Sequence, residues 1–210
     1  MSDLLILPIF PLPDITFFPH TFLPLHVFEA RYRALVTDAL ARDRRLAVVR
    51  LRPGFEERYE GKPAVFPITG GGEIVNCERL ASGRFNILMK GQWRLRIEAE
   101  VPSDTLYRIV RARRLDDAAP ASDVSEVVAR IRSSCKRLLE ALERPVDVLD
   151  SALAAGQAPG AIADRVAAAF LPDPALRQSL LETLDVAERL RRVSTALDDL
   201  VNELTGGSAS

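Results

Sequence analysis

The sequence predicts an α+β protein: a small β-barrel or sandwich with one inserted helix, followed by an α-helical bundle. Three observations point there. Residues 4–114 fall into short runs rich in β-branched and aromatic residues, broken by turn chemistry. Residues beyond 122 repeat apolar side chains in steps of three and four, and the polar, proline-bearing connector "DDAAPAS" lies between the two textures. Charge divides at the same place, with 18 Lys+Arg against 13 Asp+Glu in residues 1–115 and 10 against 16 in residues 116–210. The expected organisation is a barrel over 1–115, a connector over 116–122, a bundle over 123–205 and a disordered tail over 206–210.

The first element poses a conflict. "LPIFPLPDITFFPHTFLPLHVFE", Leu7 to Glu29, is densely apolar yet carries Pro8, Pro11, Pro13, Pro19 and Pro24. Proline has no N–H to donate and is accepted at strand starts, edges and bulges, so these residues mark where short strands begin, bend and end. The intervening Leu, Ile, Phe and Val side chains supply core. "EARYRALVTDALAR", Glu29 to Arg42, then places Tyr32, Leu35, Val36, Ala39 and Leu40 on one helical face. Strands are expected over Leu46–Leu51, Gly72–Leu80, Arg84–Gly91, Gln92–Val101 and Leu106–Leu115, with Ala81-Ser82-Gly83 as a hairpin loop. "TGGGE", Thr69 to Glu73, reads as a flexible turn or bulge leading into the strand at Ile74.

In the second half, Asp123 and Glu126 have capping-box spacing, and Val124, Val127, Val128, Ile131, Cys135, Leu138 and Leu142 define an apolar face that ends before Pro145. Shorter helices are expected near 146–155, 160–170 and 174–184. Asp185 with Glu188 opens the last helix, where Leu190, Val193, Leu197, Leu200 and Leu204 form a continuous seam. That seam packs on neighbouring helices of the same chain or supports a homodimer.

Composition excludes several classes. A hydrophobic content of 48% over 210 residues builds a real core, and a net charge of −1 argues against a protein whose task is to coat nucleic acid or an acidic membrane. Two cysteines far apart, Cys77 and Cys135, make no disulfide framework, and the apolar N-terminus lacks the basic start of a signal peptide. A cytoplasmic protein with no membrane association is expected. No cofactor or metal is expected either: His20 and His26 have no ligand cluster beside them, the glycines lack nucleotide-cradle spacing, and Ser133-x-x-Lys136 sits inside an amphipathic helix without a second catalytic motif. Pro8-Ile9-Phe10-Pro11 matches P-x-x-P but is embedded in apolar residues. The chain offers no catalytic constellation and is expected not to be an enzyme.

Several stretches resemble one family. "LPIFPL" (Leu7 to Leu12), "FFPHTFLPLHVFEARYRAL" (Phe17 to Leu35), "GGEIVNCERLASGRFNILMKGQWRLRI" (Gly71 to Ile97) and "RQSLLETLDVAERLRRV" (Arg177 to Val193) are similar to the N-terminal substrate-binding domain of the ATP-dependent Lon proteases, which also occurs as stand-alone proteins. The resemblance covers nearly the whole chain. It implies a PUA-like pseudo β-barrel followed by a helical bundle, and a role in recognising unfolded or tagged polypeptides. Neither a G-x-x-x-x-G-K-[ST] segment nor a serine-lysine protease domain follows, so a stand-alone binding module without ATPase or protease domains is expected.

The expected partners are therefore exposed apolar segments of other polypeptides, with a separate protease or chaperone as a further partner. Aromatic residues in loop-like contexts supply the candidate anchors: Phe17, Phe18 and Phe22 between prolines, and Phe55 and Tyr59 in "RPGFEERYEGKP". Core packing is the competing reading for the first three. The alternative function is RNA binding, since PUA-like barrels elsewhere bind RNA and residues 1–115 are net positive, with Arg94 and Arg96 on one strand face and Arg111, Arg113 and Arg114 clustered in another.

Overall fold

The computed structural model describes residues 4–59, 61–146, 153 and 156–206. The chain forms two compact units, residues 1–116 and 117–210. The first holds β1 (Leu4–Leu12), β2 (Phe22–Val27), α1 (Ala30–Leu40), β3 (Arg45–Arg50), a 3-10 turn (Glu56–Arg58), β4 (Ile68–Arg79), β5 (Phe85–Val101) and β6 (Ile109–Leu115). The second holds α2 (Ser125–Ala141), α3 (Pro159–Phe170), α4 (Pro174–Glu182) and α5 (Val186–Gly206).

The six strands form one sheet in the order β2-β5-β4-β3-β1-β6, and a further β5–β6 pairing closes it into a barrel. Closure depends on the length of β5. Its first part, Phe85–Lys90, pairs with β2, and its last part, Arg94–Val101, pairs with β6. The sequence predicts two strands here, divided at Gly91 and Gln92. The structure has one of 17 residues, which curls through a register shift between Ile97 and Ala99.

The prolines of β1 fall where the ladder changes partner. Leu4–Pro8 pairs antiparallel with β6, and Ile9–Leu12 pairs parallel with β3. Ile9 N–H donates to the Arg108 carbonyl on the β6 side at 2.9 Å. Because backbone N–H groups alternate along a strand, Pro8 faces the β3 side before that pairing starts, and Pro11 faces the β6 side after that pairing has ended. Neither proline removes a bond that its neighbours could make. Both lie inside β1 rather than at its ends, and Pro11 is buried, so the P-x-x-P pattern presents no exposed ligand.

The glycine cluster is also strand interior. Gly70, Gly71 and Gly72 belong to β4, with a register shift between Gly71 and Gly72 that accounts for the bulge but not for a turn. The residues 17–18 segment crosses directly over them. A Cβ on Gly70 would stand 2.6 Å from the Phe17 carbonyl carbon, and one on Gly91 would stand 3.0 Å from that of Phe18. Glycine is required because another backbone comes too close for any side chain.

One core cluster joins the sheet to α1 through Phe10, Phe17, Leu35, Val36, Val48 and Met89, with Phe10 stacked on Tyr32 at 4.1 Å. A second lies on the other side of β1 and β3, built from Leu7, Ile9, Ala47, Val49, Leu95 and Val110. β3 is buried on both faces, as its unbroken run Leu-Ala-Val-Val requires. The Ala81–Gly83 loop behaves as its sequence predicts, with Gly83 at φ 74° and its N–H on the Leu80 carbonyl at 2.9 Å.

In the second unit, α5 packs along α2 and α3, burying Leu190, Val193, Leu197 and Val201. Leu204, expected to continue the seam, is 41% exposed, because the buried row follows the 3.6-residue period and passes to Val201 instead. The side chain of Asp185 accepts from the Glu188 N–H at 2.9 Å and caps α5. The capping box at α2 differs: Asp123 accepts from the Ser125 N–H at 3.0 Å and its hydroxyl at 2.6 Å, and helix begins one residue later than that motif needs. The helix expected over 146–155 falls almost wholly outside the described residues, as does the tail beyond 206.

The sequence gives no hint of a buried cation, yet Arg189 is fully enclosed. Its Nη1 donates to Asp117 Oδ1 at 3.0 Å and to the Thr183 carbonyl at 2.6 Å, and its Nε lies 3.2 Å from Asp164 Oδ1. Gly160 gives this cluster its room, since a Cβ there would come within 3.0 Å of Arg189 Nη2. The three charged groups tie the start of the second unit to α3 and α5.

Candidate polypeptide-binding surface

β2 is an outer strand of the sheet and pairs with β5 alone among the described strands. Side chains alternate across it. Leu23, Leu25 and Val27 point inward onto the α1 core, and Phe22, Pro24 and His26 point out, followed in the same rhythm by Phe28 just past the strand. Phe22 is 61% exposed and Phe28 59%. Leu88 of β5, opposite Pro24, adds apolar surface, and Val75, the extra residue of a bulge in β4, is exposed as well.

Polar groups hold this stripe in place. Asn86 Nδ2 donates to Glu78 Oε2 at 2.9 Å, which leaves its Oδ1 to accept from His26 Nδ1 at 2.8 Å. An amide oxygen can only accept, so Nδ1 is the donor in this contact. The ring stacks beside Phe28 at 6.2 Å. Lys90, opposite Phe22, supplies a charge at the margin.

The candidate anchors therefore separate into three groups. Phe22 lies on this exposed stripe. Phe17 and Phe18 are buried, at 1% and 0% exposure, because their segment closes over the glycines of β4 and β5; they are core and not a contact surface. Phe55 and Tyr59 are half-buried, their rings 6.1 Å apart. Tyr59 is fastened to α1: its hydroxyl donates to Glu29 Oε1 at 2.9 Å, its carbonyl accepts from Arg31 Nη1 at 3.0 Å, and its ring lies 4.8 Å from the Arg31 guanidinium. Burial and the Glu29 carboxylate push the Tyr59 hydroxyl above its ordinary pKa.

Pro24, His26 and Phe28 were not among the anchors that the sequence suggested. The signal was present as F-x-P-x-H-x-F from residue 22, a period-two pattern masked by Pro24 and by the helix that starts two residues after Phe28.

Three of the five arginines lie together: Arg96 of β5 is paired opposite Arg113 of β6, with Arg111 next on the same exposed face. Arg111 and Arg113 face outward but are both paired with Glu98, at 3.7 and 2.8 Å. Arg94 is buried at 3% exposure opposite Gly70, while Arg96 is exposed, so the two do not share a common surface. Arg114 lies 4.5 Å over the Trp93 ring. Glu98 sits among these arginines and pairs with two of them, so the cluster is partly neutralised and is less basic than a face built for RNA.

The residues of the rejected catalytic patterns are equally dispersed. Ser133 is exposed, and Lys136 pairs with Glu140 at 3.7 Å. Burial pushes the Cys135 thiol up to about 12 and raises that of Cys77, so neither is a thiolate at neutral pH. No group of three or more metal-ligating side chains occurs among the described residues. Among those residues no helix is long and apolar enough to cross a membrane.

A closed sheet with one inserted helix, ahead of a helical unit, is the α+β, PUA-like architecture of Lon N-terminal domains. The N-terminal domain of the Mycobacterium avium complex Lon protease superposes with a TM-score of 0.75 at 20% identity, over 92% of this chain and 98% of that one. The Lon N-terminal domain protein from Xanthomonas campestris superposes with a TM-score of 0.65 at 20% identity, over 90% and 96%. The family follows from sequence: residues 6–199 match the model of the ATP-dependent protease La (LON) substrate-binding domain, and the chain belongs to that family. It is 31% identical over 195 residues to the Lon protease of Roseiflexus castenholzii and 26% identical over 196 residues to Lon protease 2 of Myxococcus xanthus, in each case over 92% of this chain. It spans about a quarter of the length of those relatives, 24% and 23%.

Proposed function

We propose that the protein is a non-catalytic module that binds exposed apolar segments of other polypeptides, and that the outward stripe of β2 is its contact surface. The observation that carries this reading is the pair of phenylalanines, Phe22 and Phe28, standing more than half exposed on either side of Pro24 and His26 at a sheet edge. Large aromatic side chains are normally buried, and an exposed row with a polar margin is the arrangement that protein interfaces use for anchors. Membership of the Lon substrate-binding family supports polypeptide as the ligand class. Phe17 belongs to the core against which Leu23 and Leu25 pack, Phe18 is buried, and Tyr59 bonds Glu29, the residue that follows Phe28.

The test is fluorescence anisotropy of a labelled, permanently unfolded model protein titrated with the full chain. Binding at about tens of micromolar is expected, and Phe22→Ser with Phe28→Ser together should weaken it by about 1–2 kcal/mol per ring, or roughly 30-fold to 1,000-fold in combination. Unchanged affinity in the double variant would remove the stripe from the account, and no binding by the wild type would remove the function. Tight binding of RNA with a steep salt dependence would establish the alternative instead.

A further inference from the structure

The outward stripe of β2 coincides with an unfilled sheet edge. Gly91 N–H donates to the Thr21 carbonyl at 2.8 Å, so Thr21 turns its carbonyl toward β5. Backbone groups alternate along a strand, which gives the ladder to Leu23, Leu25 and Val27, opposite Met89, Ile87 and Phe85. Phe22, Pro24 and His26 turn theirs the other way. That edge offers two N–H donors, from Phe22 and His26, and the carbonyls of all three residues as acceptors. None of these backbone groups meets a partner among the described residues. Pro24 removes only the middle donor.

Two further features suit this edge to another strand. Edge strands are commonly blunted by charged side chains, yet Phe22–Val27 carries no Lys, Arg, Asp or Glu. Its inward side chains are also incompletely covered: Leu23 and Leu25 pack against the α1 core but remain half-buried, whereas Val27 is 1% exposed. A helix laid on the stripe would cover Phe22 and Phe28 but leave the edge groups unmet and the two leucines uncovered. An extended backbone meets all three, because its N–H and carbonyl groups recur at the same spacing and its side chains fall alternately on the two faces. We propose that the captured polypeptide binds as an added β-strand along the free edge of β2, through about six residues that match the roughly 20 Å of that strand. The proposal rests on polypeptide being the ligand class and adds the conformation in which it is held. Proline also protects edges, and Pro24 does so against one partner in particular. Two copies of β2 paired antiparallel about it would set ring against ring with no donor between them, which disfavours a second copy of this chain as the occupant.

The experiment measures backbone amide exchange by NMR on the full chain, alone and with saturating acetyl-Lys-Thr-Val-Phe-Val-Leu-Thr-Lys amide. In the free protein the Phe22 and His26 amides should exchange about tenfold or more faster than those of Leu23, Leu25 and Val27. The bound probe should slow Phe22 and His26 by about tenfold or more while resonances shift along the stripe. The same peptide N-methylated at its central Val-Phe-Val-Leu residues has no N–H there to give to the edge carbonyls, and should bind about tenfold weaker or worse. His26→Pro removes an edge donor without touching the β5 ladder, and should bind the probe about threefold or more weakly than His26→Val, which keeps that donor. Amide spectra show whether each variant is folded, and the N-methylated probe decides the matter if His26→Pro is not. Shifts on the stripe with the Phe22 and His26 amides still fast, or equal affinity for the N-methylated probe, would overturn strand addition and leave capture on the stripe standing. No shift up to ~1 mM probe would overturn both. Slow exchange at Phe22 and His26 in the protein alone, lost on dilution, would make a second copy the occupant and overturn the proposal as well.

Discussion

Gly70→Ala should unfold the barrel unit far more readily than its single methyl group suggests. The added Cβ would stand 2.6 Å from the carbonyl carbon of Phe17 and closer still to its oxygen, where about 3.5–4.0 Å is the comfortable carbon–carbon distance. The obstacle is backbone, so no rotamer change relieves it, and the residues 17–18 segment must move outward by about 1 Å or more. That segment carries two phenylalanines at 1% and 0% exposure. If the sheet yields instead, overpacking costs about 1–3 kcal/mol; if the segment lifts, partial loss of each buried ring approaches the 3–5 kcal/mol of a Phe→Ala change. Gly70 is held in the sheet by both β3 and β5, so the segment is the part that lifts and at least ~3 kcal/mol is expected, a large part of the 5–15 kcal/mol that usually holds a domain together. Trp93, the only tryptophan and the cross-strand partner of Gly71, reports unfolding of this unit in a urea titration read by fluorescence. With a slope of about 1–3 kcal/mol per molar, the midpoint should fall by roughly 1–3 M. Gly54→Ala is the control: φ is +81° but nothing lies within 4 Å, so only backbone strain of about 1–2 kcal/mol applies. A Gly70→Ala protein within ~1 kcal/mol of wild type, or less affected than Gly54→Ala, would refute the close-approach account.

Three further outcomes are expected. Burial, with the Asp38 carboxylate next, pushes the Tyr107 hydroxyl up to about 12; its hydrogen bond to Asp38 Oδ2 is 2.7 Å. A group whose folded pKa exceeds its unfolded value of 10 contributes stability that is complete below pH 10 and is lost between 10 and 12. Urea midpoints measured across that window should fall, and Tyr107→Phe should flatten the decline. Arg189→Met, which leaves Asp164 buried without its guanidinium, should cost about 3–5 kcal/mol in the second unit, and adding Asp164→Asn should recover part of it, both read from the helical circular dichroism transition. Cys135, fully buried, should resist an aromatic disulfide reagent until the second unit unfolds, whereas half-buried Cys77 reacts first; simultaneous reaction in the native protein would contradict the placement.

What the sequence revealed, and what it concealed, follows from the range of each interaction. α1 and α5 were legible because their apolar periods and starting residues lie within one stretch of chain, and the Ala81–Gly83 hairpin because its turn chemistry is local. β5 was read as two strands because Gly91 resembles a break when its neighbours in space are unknown; its lack of a side chain answers to the Phe18 carbonyl. For the same reason the turn or bulge expected at Gly70–Gly72 proves to be a bulge inside β4. Arg189 resembled any surface cation of an amphipathic helix, because its partner Asp117 lies 72 residues away. The candidate surface was concealed differently. Phe17, Phe18 and Phe22 share a proline-rich context and seemed equivalent, yet the path of one segment buries the first two and the parity of β2 exposes the third. Parity could have been read from the chain itself, since the inward side chains Leu23, Leu25 and Val27 alternate with Phe22, Pro24, His26 and Phe28. Strand alternation decides which aromatic residues can meet a partner, and composition alone does not. An apolar segment rich in proline should therefore be tested for a period of two before its aromatics are assigned to core or surface.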